Sequence, residues 1–237
     1  MARCVSCNDE YDPNDDAGTC KECYEEANET EQEMKEQIEE LKAKSSFLAL
    51  ASPIGAPSST TDVILVASAD AASRPVPAHK AVLVSRSPVF RAMLENDMEE
   101  SRSGTIRITD ISYDTLCSFV NYLYTAEAIA SSLDSQMACN LLALAEKYQV
   151  NHLKTFCEKY LISKLNWEKA LALYSFANQH NANQLQDAAL EFIINDNMAG
   201  LAAHEDYQDL VDSNPRLVVE IYEAYLTKQV NTAVLNL

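Results

Sequence analysis

The order of apolar and polar positions predicts a small sheet in the middle of the chain. An uninterrupted apolar run at 63–67 is typical of a buried strand. The segment 74–78 is extended and carries Pro75 and Pro77, which predicts an edge strand because proline cannot donate a hydrogen bond to a neighbour. Alternation at 105–108 predicts a third strand.

Helical periodicity surrounds these strands and fills the rest of the chain. Ser87 and Pro88 have the residue types of an N-cap and a first helical position, and an apolar stripe follows them. A further stripe runs through Leu116 and Leu123. After Asp134 we predict helices at 137–149, 152–165, 167–180, 183–194 and 217–226. The chain therefore reads as a mixed α and β part followed by an all-helical part.

Residues 24–50 form a separate charged helix in this pattern. An apolar stripe recurs there every three or four positions, at Ala27, Met34, Ile38, Leu41 and Leu48, and is interrupted by Glu31 and Ser45. Two interpretations stay open, a short coiled coil or a solvated helix whose last turn docks on the next domain. Residues 52–60 are rich in Pro, Ser and Thr and read as a linker.

Composition narrows the function classes. The four glycines of the 237 residues lie far apart, so neither glycine-rich phosphate-binding motif is present. A net charge of −18 makes nucleic acid a poor partner. The charge is uneven, since residues 1–44 hold 14 acidic and 5 basic side chains, a net of −9. We find no apolar leader and no membrane-span-length apolar run, and expect a cytoplasmic or nuclear protein without membrane contact.

Four of the seven cysteines lie near the N-terminus, and their spacing carries the strongest chemical signal. Cys4-x2-Cys7, twelve residues and Cys20-x2-Cys23 form two knuckles that can direct four sulfurs at one centre. Four thiolates make the closed tetrahedral site of structural zinc and leave no open position for catalysis. Redox-active or simply free thiols are the alternatives. Acidic residues outnumber basic ones in this segment, which favours a protein partner or a purely structural role.

The middle of the chain resembles the BTB/POZ domain family, and within it the speckle-type POZ protein group. The matching segments run in order over about 60–226, and they are AHKAVL at 78–83, SRSPVFRAM at 85–93, IRITD at 106–110, FVNYLYT at 119–125, LALAEKY at 142–148, LKTFCE at 153–158 and DSNP at 212–215. The resemblance implies an α+β BTB/POZ fold, in which helices flank a small sheet, followed by helices that resemble a truncated BACK domain.

The same resemblance implies a homodimerising, substrate-specific adaptor of a cullin-3-based ubiquitin ligase. The family contacts cullin-3 through a hydrophobic-x-Glu motif, which here reads Met98-Glu99-Glu100. Met98 is then an adaptable apolar contact and Glu100 a carboxylate that sets the register. Without the resemblance the same residues read as a solvated acidic loop. The family's dimer surfaces correspond here to Phe47, Leu48, Leu50 and Val82.

The chain also departs from the family. Ala126 stands where glycine usually follows Tyr-Thr, and Pro75 and Pro77 stand in a strand usually free of proline. Asp62 and Lys80 match a buried charged pair of some members. In place of a substrate-reading domain the N-terminal part carries the cysteine module. We divide the chain into a zinc-ribbon-like module at 1–24, the charged helix at 25–51, a linker at 52–60, the BTB/POZ domain at 61–162 and a BACK-like region at 163–237.

Nothing in the sequence assembles a catalytic set, and we expect no intrinsic enzyme. His79 belongs to the BTB signature and is predicted to be structural, while His152, His180 and His204 share no ligand or triad spacing. Cys117, Cys139 and Cys157 read as small core residues, and Trp167 as a residue that packs the start of its helix against the core. Besides the ubiquitin ligase adaptor, two hypotheses remain: a BTB-dimer scaffold that recruits partners through its zinc knuckle without ubiquitin chemistry, and a thiol redox sensor.

Overall fold

The structure, a computed structural model, describes residues 2–11, 18–48, 54, 60–67, 74–109, 111–126, 133–196 and 198–235. Side chains are described for these residues apart from 2, 11, 44–48, 196 and 231–235. The chain divides into two compact units, residues 1–50 and 51–237. No helix in the described part is long and apolar enough to cross a membrane.

The first unit consists of a small hairpin and one long helix. Strands β1 (Ala2–Arg3) and β2 (Glu10–Tyr11) pair antiparallel, with Ala2 opposite Tyr11. Helix α1 spans Lys21–Leu48, so it begins inside the second cysteine knuckle, a few residues before the predicted start. The predicted charged helix is confirmed.

The second unit is organised by a three-stranded sheet in the order β4-β3-β5. Its strands are β3 (Val63–Ala67), β4 (Pro75–Ala78) and β5 (Thr105–Ile108), all three as predicted. β3 is central, antiparallel to β4 and parallel to β5. The two prolines therefore lie in an edge strand, where a missing N–H is tolerated, and four residue pairs still join β4 to β3.

Six helices build the remainder of the domain around this sheet. They are α2 (Lys80–Arg86), α3 (Pro88–Glu95), α4 (Glu99–Ser103), α5 (Tyr113–Thr125), α6 (Ser135–Lys147) and α7 (Asn151–Ser163). Their core contains an aromatic group in which Phe90 stacks on Tyr148 at 4.3 Å and Phe119 lies 5.7 Å from Tyr148. As predicted, Ser87 caps α3, because its Oγ accepts from the N–H of Phe90 at 3.1 Å.

The C-terminal part is entirely helical in its described residues. It comprises α8 (Trp167–Gln179), α9 (Asn183–Asp196), a 3-10 turn (Met198–Ala203), α10 (Tyr207–Ser213) and α11 (Pro215–Leu235). A second hydrophobic cluster lies here, with Leu171, Tyr174, Ile193, Leu201 and Ile221 fully buried or nearly so. The chain is therefore α+β in its middle and all-α towards its C-terminus, as the sequence predicted. Among the described elements, the hairpin strands β1 and β2, the short helices α4 and α10 and the 3-10 turn were not predicted.

Candidate functional site

The cysteine site is shaped by two tight turns. After Cys4 and Cys7 the chain passes through Asn8 with φ +63°, and before Cys20 it passes through Gly18 with φ +70°, a conformation that favours glycine. A backbone hydrogen bond from the N–H of Val5 to the carbonyl of Gly18 at 3.0 Å joins the two turns. A second bond, from the N–H of Cys4 to the carbonyl of Asp9 at 2.9 Å, closes the first turn. Cys23 lies in the first turn of α1. The local sequence thus brings both knuckles to one point.

The four sulfurs have the separation of a metal site. Cys4, Cys7, Cys20 and Cys23 place their Sγ atoms within 4.8 Å of one another, and Cys7 Sγ lies 3.7 Å from Cys20 Sγ. Tetrahedral zinc with four bonds of about 2.3 Å sets the sulfurs about 3.8 Å apart. The donor set therefore fits zinc in both chemistry and spacing. Among the residues that the structure describes, this is the group of metal-ligating side chains that meets at one centre.

Hydrogen bonding around the sulfurs favours a thiolate at one of them. The backbone N–H groups of Cys7 and Cys20 point at Cys4 Sγ and lower the pKa of that thiol to about 6. The N–H of Cys20 lies 3.2 Å from that sulfur, and Cys4 is 2 % exposed. Hydrogen bonds with Cys20 and Cys7 raise the pKa of Cys23 instead. Four neighbouring sulfurs cannot all lose their protons without a cation, and a bound metal supplies it.

The predicted cullin-contact residues lie at the start of α4. Met98 directly precedes that helix and is 43 % exposed, while Glu100 is half-buried in its first turn. The turn before α4 is fixed by a two-pronged ion pair, in which Arg102 Nε donates to Asp97 Oδ1 at 2.7 Å. The exposed apolar side chain is thus presented from an ordered turn.

A single carbonyl ties this turn to the rest of the domain. Leu94 O accepts hydrogen bonds from Lys80 Nζ at 2.7 Å and from Ser101 Oγ at 3.0 Å.

The prediction that Asp62 and Lys80 form a buried ion pair is wrong. Asp62 is exposed, and its carboxylate accepts the backbone N–H of Lys80 at 2.7 Å, which caps α2 from the neighbouring strand.

The end of α4 is equally constrained. Gly104 ends the helix with φ +65°, and a Cβ atom there would lie 3.3 Å from the carbonyl oxygen of Asp62. Its own carbonyl accepts from the N–H of Ile64 at 2.8 Å. On the inner side Tyr148 is buried, and burial together with the nearby Glu100 carboxylate raises the pKa of its hydroxyl to about 12.

The predicted dimer residues are only partly described. The side chains of Phe47 and Leu48, and Leu50 as a whole, lie outside the described residues. Val82 lies on α2 and is 8 % exposed, packed in the core of the domain. Its remaining exposed surface is small, so the wider face of α2 has to provide most of any contact.

His79 is structural, as predicted. Its Nδ1 lies 2.8 Å from the hydroxyl of Tyr124, its Nε2 lies 3.1 Å from Thr60 Oγ1, and its backbone N–H donates to Tyr124. His152 meets the hydroxyl of Tyr122, and burial lowers the pKa of His180, which packs on Phe176. None of these side chains meets a nucleophile and a base in the described part of the chain.

The three remaining cysteines are core residues, as predicted. Cys157 is fully buried, and burial raises its pKa to about 12. Burial also raises the pKa of Cys117 and Cys139, which pack against the same core. These thiols stay protonated near neutral pH and are poor nucleophiles.

Sequence reasoning missed a polar contact that closes the C-terminal helices. His204 is buried, and its Nε2 donates to the carbonyl of Trp167 at 2.8 Å while its Nδ1 accepts the N–H of Asp206 at 3.1 Å. Its ring meets Trp167 edge-on at 4.7 Å. Trp167 therefore does pack the start of α8. Residues 37 positions apart give no sequence signal for this contact.

Comparison with known proteins agrees with the division into a mixed α and β domain followed by helices. Residues 55–165 match the BTB/POZ domain model, and residues 169–222 match the BPM/SPOP, BACK domain model. A BTB/POZ domain-containing protein of Arabidopsis thaliana is 60 % identical over 237 residues, covering 98 % of this chain and 96 % of that protein. The TD and POZ domain-containing protein 2 of Mus musculus is 35 % identical over 158 residues, covering 67 % of this chain and 43 % of the mouse protein.

Proposed function

We propose that this chain, which belongs to the BTB/POZ domain family, is a homodimerising, substrate-specific adaptor of a cullin-3-based ubiquitin ligase. The observation that carries the proposal is the order of its domains. A BTB/POZ domain is followed directly by a BACK domain of the BPM/SPOP type. In this role the protein brings a substrate to the ligase and performs no catalytic step itself.

The cullin contact is assigned to Met98 and Glu100. Its support is geometric, because Met98 is exposed while the turn that carries it is held by the Asp97–Arg102 pair and by Ser101. A flexible thioether on a rigid turn can fill an apolar depression of a partner at small entropic cost. Glu100, half-buried and two residues further along, adds a carboxylate next to that thioether in sequence.

The N-terminal module is assigned a structural zinc ion held by Cys4, Cys7, Cys20 and Cys23. Bound zinc supplies folding energy to a segment too short to form a hydrophobic core. The chain's own contribution is the pair of turns at Asn8 and Gly18 and the N–H groups aimed at Cys4. The module then offers a small, rigid, acidic surface to a protein partner, in the position where an adaptor reads its substrate.

Homodimerisation is assigned to the family's surfaces, which correspond to Phe47, Leu48, Leu50 and Val82. A dimer presents two cullin contacts and two cysteine modules, which strengthens the capture of repeated or dimeric substrates. The work of this protein is then recruitment, in the cytoplasm or the nucleus.

The direct test is the binding of the full chain to the N-terminal region of cullin-3, measured by calorimetry. The double variant Met98→Asp with Glu100→Lys should weaken binding by at least about tenfold, because it removes the apolar contact and reverses the charge. The chain offers a matched control on α11, where Val219 is 53 % exposed and Glu223 is also exposed.

Val219→Asp with Glu223→Lys should leave cullin binding unchanged. Equal loss in the two variants would show that the effect is not specific to the assigned contact. Absence of binding by the unmodified chain would overturn the adaptor proposal and favour a scaffold that recruits partners without ubiquitin chemistry.

A further inference from the structure

Helix α1 exposes a line of apolar side chains that the first unit does not cover. Met34 is 53 % exposed, Ile38 50 % and Leu41 63 %. They are spaced four and three residues apart, so they lie on one face of the helix, which we call the seam. The helix is about 42 Å long at 1.5 Å per residue. A helix this polar elsewhere gains most of its stability from packing such a face against a partner.

From this face we infer that α1 pairs in parallel with α1 of a second copy of the chain, forming a short two-stranded coiled coil. In heptad terms Ile38 occupies an a position, and Met34 and Leu41 occupy d positions. In a parallel coiled coil, a β-branched residue at a with leucine at d favours two strands. The inference rests on the proposed homodimer, which it extends from the BTB domain to the N-terminal unit.

The charges beside the seam select the orientation. The e positions carry Lys35 and Lys42, while the g positions carry Thr30, Gln37 and, in the last turns, Lys44, whose e neighbour in a parallel pair would be Ala49. An antiparallel pair brings e next to e and sets lysines against each other, whereas a parallel pair brings e next to g and places lysines beside neutral side chains. The parallel arrangement is therefore the one free of repulsion.

The polar interruption of the seam is compensated within the helix. Glu31 occupies the a position before Met34, and its carboxylate pairs with Lys35 at 2.6 Å. Lys42 pairs likewise with Glu39 at 2.7 Å. The pairing with Lys35 reduces the repulsion that two Glu31 side chains would otherwise bring to the seam. The remaining acidic side chains of α1 lie on the opposite, solvated face. They are Glu22, Glu25, Glu26, Glu29, Glu33, Glu36 and Glu40.

A coiled coil of about three heptads is weak on its own. The BTB dimer raises its stability, because it tethers the two copies of α1 to each other. A homodimer holds two copies of α1 at an effective concentration in the millimolar range, so even a weak pairing becomes populated. The paired helix is then a stalk. It sets the two cysteine modules side by side at its N-terminal end, in the geometry needed to hold one partner at two points.

Alanine substitution separates this coiled coil from a solvated helix. Ile38→Ala with Leu41→Ala removes the seam, yet alanine has the highest helix propensity. A solvated α1 should therefore keep or gain order, whereas a coiled coil should lose it. We measure hydrogen exchange of the backbone amides of residues 28–43 in the full chain. We expect the seam variant to lose about tenfold in protection, since the paired apolar side chains are gone.

The matched control is Glu33→Ala with Glu36→Ala on the outer face, which should leave protection unchanged or raise it. Unchanged or increased protection in the seam variant would overturn the coiled coil. Light scattering on the same samples reports the BTB dimer separately. If the chain is a dimer but protection of α1 does not change in the seam variant, the coiled coil alone is overturned. If the chain is a monomer, the proposed homodimer is overturned, and the pairing of α1 with it.

Orientation is tested by cross-linking lysines between isotopically light and heavy copies. Links from Lys21 to Lys21 and from Lys42 to Lys42 support the parallel pair. Links between copies from Lys21 to Lys42 would show an antiparallel pair and overturn the assigned orientation.

Discussion

Single residues decide several turns of this fold, and Ala126 is the clearest case. It ends α5 with φ +56°, and its N–H donates to the carbonyl of Tyr122 at 2.8 Å. This left-handed conformation strains a residue with a Cβ atom but suits glycine. The sequence indicated a departure here, because glycine usually follows Tyr-Thr in the family. The structure shows that alanine adopts the glycine-like turn instead of changing it.

Ala126→Gly should therefore stabilise the protein. We expect the free energy of unfolding to rise by about 1 kcal/mol. Glycine relieves the backbone strain, and this gain is larger than the loss from the extra conformational entropy that glycine gives the unfolded chain. Urea denaturation followed by circular dichroism measures it. Ala172→Gly is the control, because Ala172 is exposed in the middle of α8 and the same change there should cost about 1 kcal/mol. Equal destabilisation by the two variants would contradict the strain at Ala126.

Contacts between residues close in sequence were easier to predict than contacts between residues far apart in sequence. The four N-terminal cysteines meet as their spacing implied, because each knuckle is local and only one loop has to close. The expected charged pair of Asp62 and Lys80 was wrong in form, because Lys80 reaches the carbonyl of Leu94 instead. The contact of His204 with Trp167 could not be predicted, since it depends on the packing of α8 against the 3-10 turn and the loop after it.

Among the elements, α6, α7 and the turn between α8 and α9 are joined by one polar network. The ammonium of Lys154 on α7 pairs with the carboxylate of Glu146 on α6 and donates to the carbonyl of Asn181 at 2.8 Å. Asn181 in turn donates its side-chain amide to Glu146 at 2.9 Å. The hydrogen bond from Lys154 lowers the pKa of Glu146 below its usual value. The network thus links the last BTB helices to the first BACK helices.

Glu146→Gln should lower the free energy of unfolding by about 1 kcal/mol at pH 7, since Lys154 loses its charged partner while Glu146 is only one-third exposed. The carboxyl pKa is depressed in the folded state, so the stabilisation is complete above the unfolded pKa of about 4.3 and disappears as the pH falls through the lower folded value. Urea titrations between pH 7 and pH 3 measure the difference. Glu191→Gln, at an exposed position of α9, should show no difference at either pH. A Glu146 effect that persists unchanged at pH 3 would contradict the ion pair.

Elements with a clear apolar pattern were predictable, whereas the shortest helices and the N-terminal hairpin were not. Each predicted strand and long helix is present, because an apolar run, an alternation or several turns of helical periodicity marks it, and Ser87 marks the start of α3. Helices α4 and α10 contain five and seven residues, too few to show a period. Helix α4, which was missed beside the proposed cullin-contact motif, matters most, since it turns an expected loop into an ordered presentation of Met98.

At the scale of the whole molecule, two units are stabilised by different physics. Both hydrophobic clusters lie within residues 51–237, and together they contain the large buried side chains of that unit. Within residues 1–50, Cys4 is the buried apolar side chain among those described. The hairpin of the first unit therefore depends on the sulfur cluster for its fold, while the second unit depends on its apolar core.

Removal of metal should consequently affect the first unit alone. We expect the purified chain to hold about one zinc ion per copy by atomic emission, and Cys4→Ser or Cys20→Ser to abolish that content. Cys117→Ser, at a core thiol outside the cluster, should retain it. Excess chelator should increase hydrogen exchange of residues 2–11 at least about tenfold, while the melting temperature of the second unit stays within about 2 °C. Zinc content unaffected by Cys4→Ser would contradict the assigned ligands, and chelator-induced melting of the second unit would contradict its independence from the metal.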